Sequence, residues 1–206
     1  MKVSDIWKLV RECPNCTDTS PCESHEQAVL EAFLADREVV QANTYHDLMG
    51  AAFDWAINSP DPSTQNSAFL IYPDNNIALE TLAVNEFPRD VQQSDERWTR
   101  PTKYYFVEHA ERNAIYRACR EGIKTEGMGL VSPWASCADC ARAIIQAGIT
   151  TLVRYHHDTA ERWNASITAG DEMFEEAGVA IITIRDPYPN VKPLRFNGEL
   201  WTPQGV

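Results

Sequence analysis

The sequence has little positive charge. Its 206 residues include 18 Lys and Arg against 30 Asp and Glu, which gives a formal net charge of −12. Proteins that bind polynucleotides neutralise many phosphates with clustered Lys and Arg, and this sequence contains no dense basic run. The charge balance therefore argues against a DNA or RNA partner. It favours a small substrate, which needs only one or two well-placed cations.

Long apolar runs are also missing. No segment approaches the ~20 residues that a membrane-spanning helix needs, and the first residues, MKVSDIWKLVREC, lack the apolar core of a signal peptide. The six cysteines suit a reducing compartment better than a disulfide scaffold. We therefore expect a cytoplasmic protein that does not bind membranes.

The overall composition is that of an ordinary globular domain, with 44% hydrophobic and 23% charged residues. We predict two parts. Residues 1–42 form an N-terminal extension, and residues 43–206 form the main domain. No internal repeat or low-complexity segment interrupts either part.

From residue 45 onward the apolar pattern alternates between helical and strand periodicity. The pattern predicts helices over residues 45–59, 109–121, 138–147 and 159–177, and strands over residues 67–72, 77–84, 128–132, 149–155 and 179–184. The first two strands form a hairpin, and the last three alternate with helices, which indicates a largely parallel sheet covered on both faces. The polar segment 85–103 is predicted to be a long loop at the rim of a site.

The motif His109-Ala-Glu111, followed by Cys137-Ala-Asp-Cys140, carries most of the chemical information. One imidazole and two thiolates supply three zinc ligands and leave the fourth tetrahedral position for water, whereas a structural zinc is closed by four protein ligands. This set of residues is the signature of zinc nucleobase deaminases, in which the carboxylate moves protons. A redox Cys-x-x-Cys would leave the His-x-Glu unexplained. We therefore predict a catalytic Zn²⁺ with Glu111 as the proton carrier.

Both halves of this motif lie at predicted helix starts. Cys137 and Cys140 are three residues apart, so that their sulfurs share one face of a helix. Free N–H groups and the helix dipole favour thiolates there. Cys119, by contrast, lies on an apolar face of the predicted helix 109–121 and is predicted to be a buried packing residue.

A second cysteine cluster lies near the start of the chain. Cys13, Cys16, Cys22 and His25 have the spacing C-x2-C-x5-C-x2-H, which could close a structural zinc knuckle. The alternative is a polar arm with free thiols. Residues 26–41 have helical periodicity and would follow the knuckle.

Four sequence blocks together resemble a known family. They are SPDPSTQ at residues 59–65, NEFPRDV at 85–91, YYFVEHAERNAI at 104–115 and CADCARAIIQAGI at 137–149. In this order they resemble the deoxycytidylate (dCMP) deaminases of the zinc-dependent cytidine deaminase superfamily. The resemblance covers the chain from about residue 45 to its end.

The resemblance implies a fold and a reaction. The fold would be an α/β, three-layer α/β/α cytidine-deaminase-like fold with a mixed sheet of about five strands. The reaction would be hydrolytic removal of the 4-amino group of dCMP, giving dUMP and ammonia for thymidylate synthesis. The partners would be a small nucleotide and further copies of the chain in a homo-oligomer.

The resemblance also implies roles for particular residues. The zinc ligands would be His109, Cys137 and Cys140, and Glu111 would be the catalytic residue. The remaining candidates are predicted to contact the nucleotide, and they are Asn85, Arg89, Ala110, Ser132, Trp134 and Tyr155. Among them, we include Arg89 as a candidate phosphate contact.

One departure from the family keeps other substrates open. The residue before the first zinc cysteine is usually proline in these relatives and is Ser136 here. A 5-substituted dCMP is therefore an alternative substrate. Separately, dCTP also remains an alternative. Other zinc deaminases, which act on cytidine, on the pyrimidine intermediate of riboflavin synthesis or on a tRNA base, are rivals within the enzymes. A non-catalytic, zinc-stabilised interaction module is the alternative from a different class.

Overall fold

The computed structural model describes residues 44–205, all within the unit Asn43–Val206. The predicted N-terminal extension, residues 1–42, lies outside the described residues. So do its predicted helix over residues 26–41 and its predicted zinc knuckle. The knuckle residues are Cys13, Cys16, Cys22 and His25.

A five-stranded sheet forms the centre of the described unit. Its strands are β1 (Ser67–Ile71), β2 (Ile77–Val84), β3 (Gly129–Ser132), β4 (Thr151–Tyr155) and β5 (Ala180–Ile184), in the order β2-β1-β3-β4-β5. Strand β1 runs antiparallel to both β2 and β3, while β3, β4 and β5 are parallel to one another. The predicted mixed sheet is therefore confirmed.

Five α-helices and one 3₁₀ turn surround this sheet in the described part of the chain. They are α1 (Tyr45–Ala56), α2 (Asp95–Trp98), α3 (Ala110–Glu121), α4 (Ala138–Gln146) and α5 (Glu161–Ala177), with the 3₁₀ turn at Thr102–Tyr105. Helix α1 begins where the Thr44 hydroxyl accepts a hydrogen bond from the backbone N–H of Asp47. Helices α3 and α5 end at Gly122 and Gly178, whose left-handed backbone only glycine adopts without cost.

Alternation along the strands divides the core into two layers. Leu70, Leu130 and Leu152 are paired across β1, β3 and β4 and pack in one cluster with buried residues of α3, α4 and α5. Their neighbours Phe69 and Val131 are also paired with each other and are fully buried, so they lie on the opposite face, where α1 packs. Helices therefore cover both faces, as the predicted three-layer fold requires.

A C-terminal hairpin was not predicted. Strands β6 (Leu194–Phe196) and β7 (Glu199–Trp201) pair with each other and are joined by Asn197 and Gly198. Each strand has only three residues, which is too short for apolar alternation to be visible. The Asn-Gly dipeptide between them is typical of a two-residue hairpin turn and was the available signal.

The prediction that Cys119 is buried is wrong, because this residue is exposed. The buried face of α3 is formed by Ala110, Ala114 and Ala118. Cys119 follows Ala118 by one residue, a rotation of ~100° around the helix, which turns its side chain away from the sheet.

Within residues 44–205, no helix combines the length and the hydrophobicity that crossing a membrane would require.

Gly129 of β3 packs closely against Ile71 of β1. A Cβ atom at this position would lie 2.8 Å from Cγ1 and 3.0 Å from Cδ1 of Ile71, its partner across the sheet. We expect Gly129→Ala to lower the free energy of unfolding by about 1–3 kcal/mol through overpacking, as measured by urea denaturation. Ile71→Ala should lower the free energy of unfolding by less in the Gly129→Ala protein than in the wild type, because it removes the side chain that the added Cβ atom would meet. Additive effects of the two substitutions would contradict this account.

Candidate metal centre and active-site cleft

Two helix N-termini meet at the predicted metal site. His109 is the N-cap of α3 and Cys137 is the N-cap of α4, and both have extended backbone. Helices α3 and α4 pack side by side on one face of the sheet. Because an N-cap side chain lies beside the free N–H groups of the first turn, both ligands project from the same end of their helices.

The three predicted ligands form a nearly equilateral triangle of donor atoms. Nδ1 of His109 lies 3.6 Å from Sγ of Cys137 and 3.5 Å from Sγ of Cys140, and the two sulfurs are 3.6 Å apart. Tetrahedral zinc, with bonds of about 2.3 Å to sulfur and about 2.0–2.1 Å to nitrogen, separates such donors by about 3.6–3.8 Å. The nature and the spacing of these donors therefore fit Zn²⁺. In residues 44–205 this is the one group of three His, Cys, Asp or Glu side chains with ligand atoms this close together.

The two thiols differ in acidity. A hydrogen bond between the sulfurs of Cys137 and Cys140, together with neighbouring His109, lowers the pKa of Cys137 to about 3. Burial raises the pKa of Cys140, and its hydrogen bond to Cys137 raises it further. Without metal the pair therefore holds one negative charge, and a dication that ionises the second thiol releases a proton.

Arg112 supports the sulfurs from α3. Its guanidinium lies 3.1 Å from Sγ of Cys140 and is ion-paired with Glu108 one turn earlier. Glu108 also accepts a hydrogen bond from the backbone N–H of His109, at 3.1 Å. This charge-assisted chain holds His109 and Cys140 in position relative to each other. The sequence prediction did not include Arg112, although its position three residues after His109 places it on the same side of the helix.

Glu111 lies beside the donor triangle and is 2% exposed. The Asn66 amide donates to its Oε2 at 3.3 Å, and the Ser132 hydroxyl donates to Oδ1 of Asn66, also at 3.3 Å. Burial raises the pKa of Glu111, although His109 opposes this change. A carboxyl group with a raised pKa exchanges protons more readily near neutral pH than an exposed one does.

Asn85 holds the start of α3. Its Oδ1 accepts from the backbone N–H of Ala110 at 2.9 Å, and its Nδ2 donates to the carbonyl of Thr64 at 3.0 Å. The Ser59 hydroxyl donates to its carbonyl. Asn85 therefore connects the 59–66 loop to the helix that carries His109 and Glu111.

An open cleft lies over these groups. Its walls come from the 59–66 loop, the 85–108 loop, the β3–α4 and β4–α5 connections, the start of α5 and the C-terminal hairpin. The polar and aromatic residues that line it include Asp61, Thr64, Asn66, Asn85, Arg100, Lys103, Tyr104, His109, Glu111, Trp134, Cys137, His157, Arg162, Trp163, Phe196 and Asn197. As predicted, the long polar loop forms part of the rim.

The predicted nucleotide contacts are placed unequally. Asn85 and Trp134 line the cleft. Ala110 and Ser132 are fully buried behind it and position Asn85 and Asn66.

Arg89 and Tyr155 do not reach the cleft lining. Arg89 is exposed on the surface of the 85–108 loop. Tyr155 packs on the opposite face of the sheet against Phe53 and Tyr188, because strand alternation sets it against its neighbour Arg154, which pairs with α5. His157, two residues later, is the aromatic side chain that lines the cleft there.

Several cleft residues were missed by the sequence prediction. Asn66 follows directly after the SPDPSTQ block, so its position was a signal. For Arg162, Phe196 and Asn197, the sequence offered no signal beyond the Asn-Gly turn. These residues belong to α5 and the C-terminal hairpin, which are brought to the cleft by tertiary packing.

The connection before Cys137 is held from two sides. The imidazole of His157 accepts from the backbone N–H of Ala135 at 3.2 Å, and burial lowers the pKa of His157 to about 4, so the ring is neutral. A Cβ atom at Gly170 of α5 would lie 3.1 Å from the carbonyl oxygen of Ser136, so the glycine allows close approach. The Ser136 hydroxyl is buried and makes no hydrogen bond to any residue in the range 44–205.

Comparison with known protein families identifies the region around this site. Residues 42–156 match the family model of the cytidine and deoxycytidylate deaminase zinc-binding region.

The matches to three curated relatives each cover most of the relative's length. A protein of Aliivibrio fischeri described as an uncharacterized deaminase in the luxG 3′ region is 35% identical over 125 residues, 60% of this chain and 81% of the relative. The deoxycytidylate deaminases of Pongo abelii and Homo sapiens are each 32% identical over 140 residues, 64% of this chain and 74% of theirs.

Among solved structures, the dCMP deaminase of the cyanophage S-TIM5, crystallised with dCMP and dUMP, has the same fold. The TM-score is 0.55 with 22% sequence identity, and the match covers 68% of this chain and 95% of the phage protein.

The burial of Glu111 predicts a pH-dependent stability difference. Its pKa in the folded state lies above the ordinary value of 4.5, so ionisation is easier in the unfolded chain. The stabilising effect of its protonation is complete below the unfolded pKa and is lost as pH rises through the folded pKa. We expect metal-free Glu111→Gln to be more stable than metal-free wild type at pH 7 to 8, with the difference disappearing by pH 4.

Thermal unfolding of both proteins in chelator, across this pH range, measures the difference. Glu161→Gln is the matched control, since Glu161 is exposed at the start of α5. A Glu111→Gln variant that is less stable at pH 8 than at pH 4, relative to wild type, would contradict the expected sign.

Proposed function

The chain belongs to the cytidine and deoxycytidylate deaminase family, and from this membership we propose that it hydrolyses dCMP to dUMP and ammonia. The observation that carries the proposal is the donor triangle of His109, Cys137 and Cys140 with the buried Glu111 beside it, at the base of an open cleft. A structural zinc needs neither an unfilled ligand position nor an adjacent carboxylate. Curated relatives with this family signature are named deoxycytidylate deaminases.

The metal chemistry rests on three side chains. His109, Cys137 and Cys140 would hold Zn²⁺, for which the spacing of their donor atoms is suitable. When bound, the ion supplies an activated water that attacks C4 of cytosine. Arg112 offsets the negative charge of the sulfurs through its contact with Cys140.

Glu111 would move the protons. Its carboxylate would accept one proton from the attacking water and pass it to ring nitrogen N3 as the C4–O bond forms. It would then move the remaining hydroxyl proton to the 4-amino nitrogen. The C4–N bond then breaks, ammonia leaves, and C4 becomes the carbonyl carbon of uracil. Asn66 holds one carboxylate oxygen in place through its amide, which leaves the other oxygen for proton transfer.

Aromatic side chains suit the pyrimidine. Trp134, His157 and Phe196 line the cleft and contact one another at ring-centroid distances of 4.4 to 5.0 Å. The indole of Trp134 donates to the carbonyl of Gln65 and is therefore fixed in orientation. Such rigid apolar walls favour a flat base. We propose that Asn85 and Trp134 contact the nucleotide, and that Ala110 and Ser132 act behind them as positioning residues.

The other parts of the assignment follow from the sequence. We propose that Cys13, Cys16, Cys22 and His25 hold a second, structural zinc. We also propose a homo-oligomer, supported by the exposure of Tyr105 (84%) and Leu200 (71%), which light scattering would test. The cysteine content supports a cytoplasmic location.

The reaction is tested with a panel of substrates followed by ultraviolet loss of the aminopyrimidine band. The panel contains dCMP, dCTP, 5-methyl-dCMP, deoxycytidine and cytidine. We expect dCMP to have the highest kcat/KM, and Glu111→Gln to lower kcat by roughly 100- to 10,000-fold while zinc stays bound. Glu161→Gln, at an exposed site, serves again as control. If zinc-loaded protein deaminates no member of the panel, the result would contradict the proposed deaminase function and favour a non-catalytic interaction module.

Metal content tests the second zinc site. We expect the purified protein to bind two zinc ions per chain, and Cys13→Ser to lose about one equivalent with deaminase activity retained. Cys119→Ser is the matched control, because its exposed thiol lies outside both cysteine clusters. One equivalent in both the wild type and Cys13→Ser would exclude the N-terminal site.

A further inference from the structure

Three cationic side chains line the cleft outside the metal centre: Arg100, Lys103 and Arg162. Lys103 already has a partner. Its ammonium contacts both carboxylate oxygens of Asp61, at 2.9 and 2.7 Å, and both side chains are almost completely buried. This ion pair is neutral and organises the 59–66 loop, so it does not attract an anion.

Arg100 and Arg162 are different, because both are exposed and their contacts are to neutral groups. Arg100 donates to the Ser63 hydroxyl at 2.8 Å, and Arg162 donates to the side-chain carbonyl of Asn197. Neither guanidinium has a carboxylate within ion-pair distance among residues 44–205. The cleft therefore presents two positive charges that its own walls do not neutralise.

The C-terminal hairpin brings these two arginines to one side of the cleft. At its tip, Asn197 and Gly198 have left-handed backbone, with φ of 57° and 92°. The Gly198 N–H donates to the carbonyl of Ser63 at 2.7 Å, and the Asn197 N–H donates to the Thr64 hydroxyl at 3.3 Å. Ser63, which Arg100 contacts, is therefore hydrogen-bonded directly to the hairpin turn that Arg162 contacts.

The charge of this pair matches a phosphate monoester. Such a group carries about −1.5 to −2 charges at pH 7, whereas the chain as a whole has a net charge of −12 and repels anions elsewhere. Hydrogen bonds from guanidinium to phosphate join two ionised groups and can be bidentate, so they are stronger than bonds from the same guanidinium to a neutral oxygen. The bonds to Ser63 and Asn197 can therefore be exchanged for bonds to a ligand.

We propose that Arg100 and Arg162 form the subsite for the 5′-phosphate of the nucleotide, and that the C-terminal hairpin assembles this subsite by joining the two arginines through Ser63 and Asn197. The inference rests on the proposed function for the identity of the nucleotide. It replaces Arg89, which is exposed outside the cleft lining. Arg162 and the hairpin lie beyond residue 156, where the match to the family model ends, so they belong to a part of the chain that this match does not describe.

The test compares substrates with and without the phosphate. Zinc-loaded wild type, Arg100→Ala and Arg162→Ala are assayed for kcat/KM with dCMP and with deoxycytidine. Each substitution should lower the value for dCMP by roughly 10- to 100-fold and change that for deoxycytidine by less than about threefold. Arg195→Ala is the matched control, since it removes the same charge from an exposed position of the same hairpin. It should change neither value more than about twofold.

Binding of the product provides a readout that does not need turnover. By calorimetry, each arginine variant should bind dUMP roughly 10- to 100-fold more weakly than wild type, while 2′-deoxyuridine affinity stays the same. Equal losses for phosphorylated and unphosphorylated ligands, or no loss for either, would overturn the subsite. A wild-type protein that binds dUMP through these arginines but deaminates nothing would instead overturn the proposed function and leave the subsite standing.

Discussion

The structure depends on the convergence of two helix N-termini. His109 and Cys137 are N-caps of α3 and α4, and their donor atoms lie 3.6 Å apart. Two helix dipoles that point at one spot repel a cation, and two thiolates are needed to reverse that field. The sheet order, with β1 and β3 adjacent, places the two helices side by side on one face. The same packing of α3 and α4 on the sheet therefore determines both the fold and the position of the candidate metal ligands.

The site is then built outward by hydrogen bonds to loops. Asn85 joins α3 to the 59–66 loop, Asn66 and Ser132 hold Glu111, and His157 holds the connection before Cys137. Each of these groups is buried or half-buried and makes at least one hydrogen bond, so the Glu111 carboxylate is held in a defined position. Rigid positioning of this kind is what a proton carrier needs.

The candidate metal centre and the cleft walls come from different parts of the chain. His109, Cys137 and Cys140 lie at the starts of α3 and α4, whereas the walls come mainly from loops and the C-terminal hairpin. Phe196 and Asn197 reach the cleft because Gln65 accepts the N–H of Arg195 and donates its own N–H to the carbonyl of the same residue. A hairpin of two short strands has little stability by itself. Its packing of Trp201 against Phe53 and Trp134 holds it on the domain.

The sequence by itself determined which side chains make up the candidate metal site, because the residue types, the spacing and the helix-start positions of His109, Cys137 and Cys140 are local properties. It also determined most elements of the sheet, since apolar periodicity reflects burial. Only the tertiary structure decided which side chains surround the substrate. Tyr155 is the last residue of β4 and packs away from the cleft, whereas His157 lies beyond the end of the strand and lines the cleft. Arg100, Arg162 and Asn197 are linked through hydrogen bonds between residues that are 35 to 133 positions apart in sequence. No local pattern records such distant contacts, because they depend on how the elements pack.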